Sequence, residues 1–407
     1  MVPAMNPLDR YVNKAVPLKF KGVDMSFDLS HALFSSFDID AGSRLLLKVI
    51  AQNVKPESVG SIVDIGSGIG VLGIACAKAY PGSSLAMRDR DALACAFSDR
   101  NARRNKLPSV SIASGSITTG LFLEGLEHER YDLVLCNVPA KAGPPAIDRF
   151  LRDMPGILTE RGSAAIVVVD PIAQAALASI QASGATVYAS ERRPGHSAIL
   201  FKRGDAPDVE HGGFWSVMER SQQSLRAGKT LYHIKGYWGL QEFDTPSFSS
   251  ELAMSMAENA MAGIMTRRVA VINPGVGRVA SYIGARAKGA TIDLCGRDSL
   301  ALAASARNLA LAIRAETQAG ATCAFVSELP DVTYDLVVEQ LDIVPRVDTL
   351  DDSWAAVLRV CKRGASYIAT MPSAVMDRFE RRRPKGLVKL SERKKKGFAC
   401  AAWRLEG

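Results

Sequence analysis

Three segments of the sequence recur in the same order roughly two hundred residues later. The first contains the glycine-rich stretch VDIGSGIG, and its counterpart contains VINPGVG. Both the order and the spacing of the segments agree, so we predict a duplicated domain. The three pairs are residues 61–105 with 268–312, 131–140 with 334–343, and 190–203 with 391–404.

The join between the two copies is predicted in residues 205–229. The sequence around its start, KRGDAPDVEHGGFW at residues 202–215, is rich in Gly, Asp and Pro and has weak periodicity, as a linker does. The first domain is then residues 1–204 and the second residues 230–407.

Each copy alternates short β-branched runs with segments of helical spacing, as in SIVDI followed by VLGIACAKAY. Alternation at this pace predicts the α/β class, with two tandem Rossmann-like domains and mostly parallel sheets flanked by helices. Ligands of such sheets bind beyond the carboxyl ends of the strands, where the direction of the connections reverses.

Composition places the chain among globular proteins, with 47% apolar and 23% charged residues. No apolar run approaches the length that spans a bilayer, so we expect a cytoplasmic protein with no membrane partner. We also expect a monomer or weak dimer. The seven cysteines are odd in number and none lies in a C-x-x-C pair, which favours buried thiols and no metal site.

The loop after the first predicted strand is the strongest local signal. Asp64 ends the strand, and Gly66, Gly68 and Gly70 follow at every second position. Glycine permits positive φ and lets a ligand lie against the backbone. Asp89, which closes the next strand, can accept two hydrogen bonds from a ribose diol. The pattern favours a nucleoside-bearing cofactor over a purely structural turn.

The loop reads G-x-G-x-G and not G-x-G-x-x-G, because Val71 stands where the third small residue of a dinucleotide fingerprint belongs. The pattern resembles class I S-adenosylmethionine-dependent methyltransferases. NVPA, at Asn137 to Ala140, looks like a variant of the Asn-Pro-Pro-aromatic motif of amino-group methyltransferases. FDIDAGSRLLL resembles the LD-x-GT-x-LLL element of ribosomal RNA guanine-N2 methyltransferases of the "methyltransferase small" type, which carry two copies of the fold, one of them degenerate.

The resemblance implies seven-stranded sheets, S-adenosyl-L-methionine as cofactor, and an RNA base amine as acceptor. Asn137 and Pro139 are the expected catalytic residues, with the Asn137 oxygen and a carbonyl near Val138 accepting the two amine hydrogens. The alternative for Asn137 is an Asx turn at a strand end. The expected cofactor-binding set is Asp64, Gly66, Ser67, Gly68, Gly70, Asp89, Arg90, Ser114, Ser116 and Asn137.

The sequence departs from the family pattern at two places. Ala140 replaces the aromatic residue that would stack on a flipped base, and Lys141 follows it, facing a phosphate or water. Ser114 and Ser116 stand where relatives carry an acid for the adenine amino group.

The segment HALFSSFDIDAGSR, which precedes the glycine loop, contains two aromatic residues that could replace the missing ring. Phe34 and Phe37 either supply a stacking face or belong to the core. Ser43 is predicted to cap the helix that begins before RLLLKVI. Asp40 either stabilises the start of the same helix or lies near the cofactor as part of the family element.

The second copy keeps the apolar strands and loses the chemistry. We aligned Asn273 with Asp64, Gly296 with Asp89, and Gln340 and Asp342 with Asn137 and Pro139. We therefore predict no cofactor binding there and a role in substrate docking. Residues 378–396 of this copy hold ten basic and two acidic residues. They are interpreted either as a solvated strand edge or as an RNA-backbone contact that includes Arg381, Arg382, Lys394 and Lys395.

The leading hypothesis is a methyltransferase that acts on guanine N2 of ribosomal RNA. Two alternatives stay open: a non-catalytic RNA-associated pseudoenzyme of the same fold, and a methyltransferase that acts on a protein or a small molecule. Ala140 and the missing acid favour the first alternative, and the basic charge of the second copy argues against the second.

Overall fold

The computed structural model describes residues 6–107, 117–119, 121–209, 213–242, 244–262, 265–314 and 320–406. It divides into two compact units, Met1–Met218 and Glu219–Gly407. Each unit has a seven-stranded sheet and a separate two-stranded hairpin.

In the first unit an antiparallel hairpin precedes a sheet with the strand order β5-β4-β3-β6-β7-β9-β8. Neighbouring strands are parallel except around β9, which runs antiparallel to both β7 and β8. The strands are β1 Lys14–Phe20, β2 Val23–Leu29, β3 Ser61–Ile65, β4 Ser84–Asp89, β5 Ile117–Thr119, β6 Tyr131–Asn137, β7 Leu158–Val169, β8 Thr186–Arg193 and β9 His196–Lys202.

The helices of this unit follow the strands as the sequence predicts, since β3 is followed by α2 and β4 by α3. Their bounds are α1 Ala41–Asn53, α2 Val71–Ala79, α3 Ala92–Arg104, α4 Pro144–Asp153, α5 Asp170–Ala182 and α6 Phe214–Met218. The strand order reverses between β3 and β6, because β3 connects to β4 on one side while β6 lies on its other side. Ligands of open α/β sheets bind at such a switch point, and Asp64 and Asn137 both lie near it.

The second unit repeats this topology with the order β14-β13-β12-β15-β16-β18-β17. Its strands are β10 Glu219–Ala227, β11 Thr230–Tyr237, β12 Arg268–Ile272, β13 Thr291–Gly296, β14 Ala321–Thr322, β15 Tyr334–Gln340, β16 Cys361–Pro372, β17 Leu387–Lys395 and β18 Phe398–Leu405. Its helices are α7 Phe248–Met261, α8 Arg278–Arg286, α9 Ser299–Ile313, α10 Leu350–Val360 and α11 Ser373–Arg381.

The segment predicted as a linker, residues 205–229, is only partly one. It contains α6 and the whole of β10, so the second unit begins at Glu219 and not at residue 230. The strand is hard to see in the sequence because its inward positions are polar and only half-buried, with the buried Ala227 at its end. Its partner β11 supplies the apolar contacts through Tyr232, Ile234 and Tyr237.

The carboxyl-terminal core of the second unit is aromatic. Trp354 stacks on Phe379 with ring centroids 4.2 Å apart, and Tyr367 stacks on Trp403 at 5.5 Å. The two indole N–H groups do not stay unpaired, since Trp354 donates to the Phe379 carbonyl and Trp403 to Glu380. Both indole donors of this core are therefore paired while their rings pack apolar area.

Six of the seven cysteines are buried and Cys95 is half-buried, as expected of thiols in apolar surroundings. Burial raises the pKa of the Cys361 and Cys400 thiols to about 12. Across the described residues no cluster of His, Cys, Asp and Glu is arranged to hold a metal ion. In the same part of the chain, no helix combines the length and the apolar character that crossing a membrane requires.

Candidate cofactor and acceptor site

The glycine loop between β3 and α2 is built by two kinds of glycine. Gly66, Gly68 and Gly70 have φ values of 73°, 57° and 84°, a region that L side chains rarely adopt. A Cβ added at Gly66 or Gly68 meets nothing within 4 Å, whereas one at Gly70 comes within 2.7 Å of Ile74. The first two therefore leave an open cradle for a ligand, and the third lets α2 begin against the core.

The cradle is fixed from beneath by backbone and hydroxyl contacts. The Gly66 and Ser67 N–H groups both donate to the Arg88 carbonyl, at 2.9 and 3.0 Å. The buried Ser98 hydroxyl donates to the Gly68 carbonyl at 3.0 Å and lies 3.2 Å from the Ser67 hydroxyl. Ser67 is itself buried, so its role in the structure is to support the loop.

Asp64 is a buried carboxylate with one unused oxygen. Its Oδ2 accepts a hydrogen bond from the Gly73 N–H at 2.8 Å, and within the described residues Oδ1 has no donor. Burial raises the pKa of Asp64 to about 7, against the lowering effect of the Gly73 N–H, and the negative charge of Asp89 adds to the rise. An acceptor left without a partner at the floor of the cradle fits a ligand that brings a donor or a positive charge.

Asp89 holds the loop and faces the same region. Its Oδ2 accepts from the Gly68 N–H and its Oδ1 from the Asp91 N–H, each at 2.9 Å. A carboxylate offers about four acceptor positions, and the two hydroxyls of a diol are donors suited to them. Arg90 follows immediately and is half-buried. The predicted Ser114 and Ser116 lie outside the described residues.

Asn137 ends β6, at the carboxyl edge of the sheet. Its Nδ2 donates to Asp40 Oδ2 at 2.9 Å and to Ser43 Oγ at 3.2 Å. The amide does not bond its own backbone, so the Asx-turn interpretation is wrong. Because a carboxylate only accepts, the contact with Asp40 fixes which end of the amide is the nitrogen. Among the described groups none donates to Oδ1, which remains available to an acceptor amine.

The turn after Asn137 is anchored. The Val138 N–H donates to the Val167 carbonyl at 2.9 Å, and Pro139 then leads into a 3₁₀ turn at Ala140–Ala142. Ala140 and Lys141 are both exposed on that turn. The position that carries an aromatic ring in related motifs is therefore open to solvent.

The start of α1 corrects one prediction and extends another. The helix is capped by Asp40, whose carboxylate accepts from the Ser43 N–H at 3.0 Å, and not by Ser43. Ser43 lies in the first turn, and its hydroxyl oxygen accepts a hydrogen bond from Asn137 Nδ2. Between them Gly42 makes room for a neighbour, because a Cβ there would lie 2.7 Å from the ring of His196.

Phe34 and Phe37 are not core residues. They are 69% and 65% exposed and lie on the loop between β2 and α1. The loop is held by Asn13, which donates to the Ser36 carbonyl at 2.7 Å, and by an edge-to-face contact between His31 and Phe37 at 5.3 Å. Two exposed rings on a tethered loop that ends at Asp40 are suited to contacting a ligand beside Asn137.

The family model of the methyltransferase small domain matches residues 24–190, which include the glycine loop, Asp89 and Asn137. This part of the chain is therefore similar to a methyltransferase small domain. The model leaves the second unit unmatched.

Relatives with curated names align over the same region. The chain is 37% identical over 111 residues to a ribosomal RNA large subunit methyltransferase G of Photobacterium profundum, covering 27% of this chain and 28% of that protein. It is 30% identical over 122 residues to a ribosomal RNA small subunit methyltransferase C of Mannheimia succiniciproducens, covering 30% and 33%. The aligned segment therefore spans no more than about a third of either relative.

One solved structure matches across both units. It is a 16S rRNA N2 methyltransferase of T. thermophilus in complex with AdoMet and guanosine, with a TM-score of 0.66, 15% identity, and coverage of 98% of this chain and 100% of that one. The match shows the fold alone, and it confirms the predicted pair of methyltransferase-like domains with mostly parallel sheets.

At the glycine loop, one predicted pairing between the two units, Asp64 with Asn273, is wrong. The left-handed glycine that begins α8 is Gly277, with φ 90°, which matches Gly70 at 84°. Asn273 therefore replaces Gly66, and Val271 replaces Asp64. Gly296 does stand in place of Asp89, and Gln340 in place of Asn137, because each ends the corresponding strand.

In the second unit the cradle is filled by its own side chain. Asn273 has a positive φ of 53°, as Gly66 does at 73°, and its Nδ2 donates to the Gln340 carbonyl at 2.9 Å. A Cβ at Gly296 would lie 3.2 Å from the Asn273 Oδ1. Arg297 forms an ion pair with Asp342 at 3.4 Å beside the same strand ends. The prediction that this unit binds no cofactor stays a prediction, now with a physical reason.

The predicted basic surface is largely paired within the second unit. Arg382 contacts Asp348 at 2.6 Å, Lys394 contacts Glu392 at 3.2 Å, and Lys395 contacts Glu251 at 2.5 Å. Arg381 is exposed and has no carboxylate partner among the described residues. The segment runs from the last turn of α11, which includes Arg381, into β17. β17 is the last strand of its sheet, where charged side chains also discourage edge-to-edge pairing.

Sequence reasoning missed two residues that hold the first unit together at this site. Asp40 was considered only as a helix-start or cofactor residue. Asn101 is fully buried and links α3, β2 and the loop, donating to the Ile69 carbonyl at 2.9 Å and accepting from the Asp28 N–H at 2.7 Å. The duplication carried a signal for it, because Asn308 occupies the same place in the second unit, with matching bonds to Val276 and Lys235.

Proposed function

We propose that the chain is an S-adenosylmethionine-dependent methyltransferase that acts on an exocyclic amine of RNA, guanine N2 of ribosomal RNA. The observation that carries the proposal is the Asn137 amide, whose nitrogen is held by Asp40 and Ser43 while its oxygen is left at the carboxyl edge of the sheet. The names of the relatives and of the matching structure support the acceptor class.

The cofactor region of the site suits a sulfonium nucleoside. Gly66 and Gly68 provide main chain without side chains, Asp89 places a carboxylate beside the loop for the ribose hydroxyls, and Asp64 has an orphaned oxygen. Ser67, Gly70 and Arg90 belong to the same proposed set, the first two as supports of the loop. When bound, the cofactor supplies an already activated methyl group, so the residues of the chain mainly align the acceptor and exclude water. Good alignment contributes on the order of 7–11 kcal/mol.

The acceptor amine needs its lone pair released from the ring. Asn137 Oδ1 accepts one amine hydrogen, and the backbone carbonyl of Val138 accepts the other. Holding both hydrogens turns the lone pair out of conjugation and stabilises the positive charge that develops on nitrogen. Pro139 stiffens the turn through its fixed φ of −74°.

Recognition of the nucleic acid is assigned to exposed residues of both units. Phe34 and Phe37 stack on the flipped base in place of the ring missing at Ala140. Lys141 contacts a phosphate, and the second unit docks RNA through Arg381, with Arg382, Lys394 and Lys395 contributing only where RNA displaces their carboxylate partners. A ribosomal acceptor places the reaction in the cytoplasm.

The test is a two-step measurement on the full chain. Titration calorimetry with S-adenosylmethionine is expected to show binding, and absence of both heat and thermal shift contradicts every enzymatic assignment in favour of a non-catalytic protein of the same fold. Labelled methyl transfer is then compared among unmodified ribosomal RNA, ribosomal subunits, bulk protein and small amines. N2-methylguanosine in the RNA digest is the expected product, and label in protein or small amines instead rejects the RNA assignment.

The role of Asn137 is tested by Asn137→Ala. A lost hydrogen bond that forms fully only in the transition state costs about 10²–10³ in rate. Retention of the transfer rate within about threefold contradicts the amine-positioning role. Gln340→Ala in the second unit is the matched control, and it is expected to leave transfer unchanged.

A further inference from the structure

Asp40 makes two contacts through one oxygen. Its Oδ2 accepts from the Ser43 N–H at 3.0 Å, which caps α1, and from the Asn137 Nδ2 at 2.9 Å, 97 residues further along the chain. The carboxylate side chain is largely buried, with 15% of it exposed. Capping alone does not require the second contact.

We propose that Asp40 is a positioning residue for the methyl-transfer step, acting through Asn137 and touching neither the cofactor nor the acceptor. Its carboxylate holds the amide nitrogen, so that Oδ1 is the atom presented to the acceptor amine. This inference rests on the proposed function.

The physical need for such a residue follows from the amide itself. The terminal torsion of asparagine is broad and nearly two-fold, so an unrestrained amide presents oxygen or nitrogen with similar ease. A nitrogen facing an amine places donors against donors, and the amine hydrogens lose their acceptor. Asp40 rejects that flipped state because a carboxylate has no proton to donate to Oδ1. The Ser43 hydroxyl engages the second N–H at 3.2 Å and completes the restraint.

The second unit supplies an internal comparison. There α7 is capped by Ser247, which accepts from the Ser250 N–H at 3.1 Å just as Asp40 accepts from Ser43. The strand-end residue of that unit is Gln340. A serine therefore suffices to cap this helix in this fold. The longer carboxylate occurs in the unit that has Asn137 to hold.

Gly42 is part of the same arrangement. A Cβ at this position would lie 2.8 Å from the Asp40 Oδ2 and 2.7 Å from the His196 ring. The glycine thus leaves room for the carboxylate to point at Asn137 while His196 packs alongside. The second unit has Ser249 at the equivalent position of the turn.

The experiment compares Asp40→Ser with Asp40→Asn in the full chain. Serine keeps the cap and is too short to reach Asn137, whereas asparagine places an acceptor oxygen where Oδ2 was. We expect Asp40→Ser to lower kcat about tenfold to hundredfold, as loss of alignment does, with the Kd for S-adenosylmethionine changed less than about threefold. Asp40→Asn is expected to stay within about fivefold of wild type in kcat.

Asp298→Ser is the matched control, because Asp298 caps α9 by accepting from the Leu300 N–H at 3.0 Å and lies in the other unit. It is expected to leave kcat unchanged. Wild-type kcat in Asp40→Ser overturns the inference. An equal loss in Asp40→Asn and Asp40→Ser also overturns it, because charge and not orientation would then be responsible.

A second readout separates this inference from the proposed function. The Asn137 side-chain amide is observed by ¹⁵N NMR in asparagine-labelled protein and assigned with Asn137→Ser. Two hydrogen-bonded protons predict slow solvent exchange in wild type and at least tenfold faster exchange in Asp40→Ser, a change in free energy of about 1.4 kcal/mol or more. If wild type methylates no amine, the proposed function fails while the exchange rates still decide the positioning. If exchange is the same in both proteins, the positioning fails whatever the acceptor.

Discussion

The Asn273 side-chain amide donates a hydrogen bond to the Gln340 backbone carbonyl at 2.9 Å. It crosses from the end of β12 to the end of β15, the two strands between which the strand order reverses in the second unit. In the first unit the equivalent positions are Gly66 and Asn137, and the space beside Gly66 is open. One substitution thus converts the cradle into a closed loop.

This difference predicts that the chain binds one molecule of S-adenosylmethionine. Gly296 also removes the carboxylate that Asp89 provides for a sugar, so the second unit lacks both space and acceptor. Titration calorimetry is expected to give a stoichiometry of about one, with binding abolished in Asp89→Ala. A stoichiometry near two, or residual binding in that variant at the wild-type affinity, contradicts the prediction.

Gly68→Ala and Gly275→Ala form a matched pair. Their φ values are 57° and 58°, and a Cβ meets nothing within 4 Å at either position. The backbone strain is therefore equal, on the order of 1 kcal/mol. We expect similar falls in Tm for the two variants and at least a tenfold weaker Kd for S-adenosylmethionine in Gly68→Ala alone, because the new methyl group enters the cradle. Equal affinities in the two variants would show that the cofactor does not lie against Gly68.

Asn101→Ala and Asn308→Ala test the buried amide common to both units. Each removes one acceptor and two donors that serve backbone groups, and both residues are fully buried. Each variant is expected to lose on the order of 3 kcal/mol of unfolding free energy in its own unit, by urea denaturation. Cofactor affinity should fall only in Asn101→Ala, whose amide holds the Ile69 carbonyl beside the cradle. Weaker binding in Asn308→Ala would point to a general loss of folding instead.

The buried Asp64 predicts a pH dependence of stability. Its pKa is raised from 3.8 to about 7, so between these values the folded state holds more protons than the unfolded state. The free energy of unfolding therefore falls as pH rises through this window, by about 2–3 kcal/mol between pH 5 and pH 8. Asp64→Asn removes the titrating group. The difference in unfolding free energy, variant minus wild type, is expected to grow over that range in urea titrations of the apo protein, and a difference independent of pH contradicts it.

Arg381 and Arg382 are adjacent but differ in their partners. Arg382 contacts Asp348 and Asp351, whereas Arg381 is exposed without a carboxylate partner among the described residues. If this end of α11 contacts RNA, Arg381→Ala is expected to reduce the slope of log K against log salt by about one, and Arg382→Ala by less. Filter binding at several salt concentrations measures both slopes. Identical slopes in wild type and Arg381→Ala would contradict a phosphate contact by Arg381.

The sequence predicted the parts of the fold that repeat. The structure confirms the local patterns that occur in both copies. These are the strand before each glycine loop, the helix after it, and the segment that precedes the strand. β10 was missed because its polar strand becomes recognisable only when it is paired with β11, and pairing is not a local property. The pairing of Asp64 with Asn273 was wrong because the two glycines of the second loop match either neighbouring pair of the three glycines in the first. The positive φ of Gly70 and Gly277 decides between the alignments, and φ is not written in the sequence.

At the site, residue types were predictable and contacts were not. Asp64, Asp89 and Asn137 were found from the chemistry their positions require. The bond from Asn137 to Asp40 spans the sheet and the start of α1, so it depends on the packing of elements far apart in sequence. Phe34 and Phe37 look like core residues in a list of apolar letters, and only the path of the loop exposes them.

The amide shared by Asn101 and Asn308 has a broader consequence. In each unit this asparagine connects the hairpin, a helix and the glycine turn without using the carboxyl ends of the strands. The residues that hold the fold together are therefore different from the residues that form the proposed site. The second unit can accordingly serve as a scaffold without a cofactor site. Replacing Asn273 and introducing an acidic residue at position 296 would show how few substitutions are needed to turn that scaffold into a binding site.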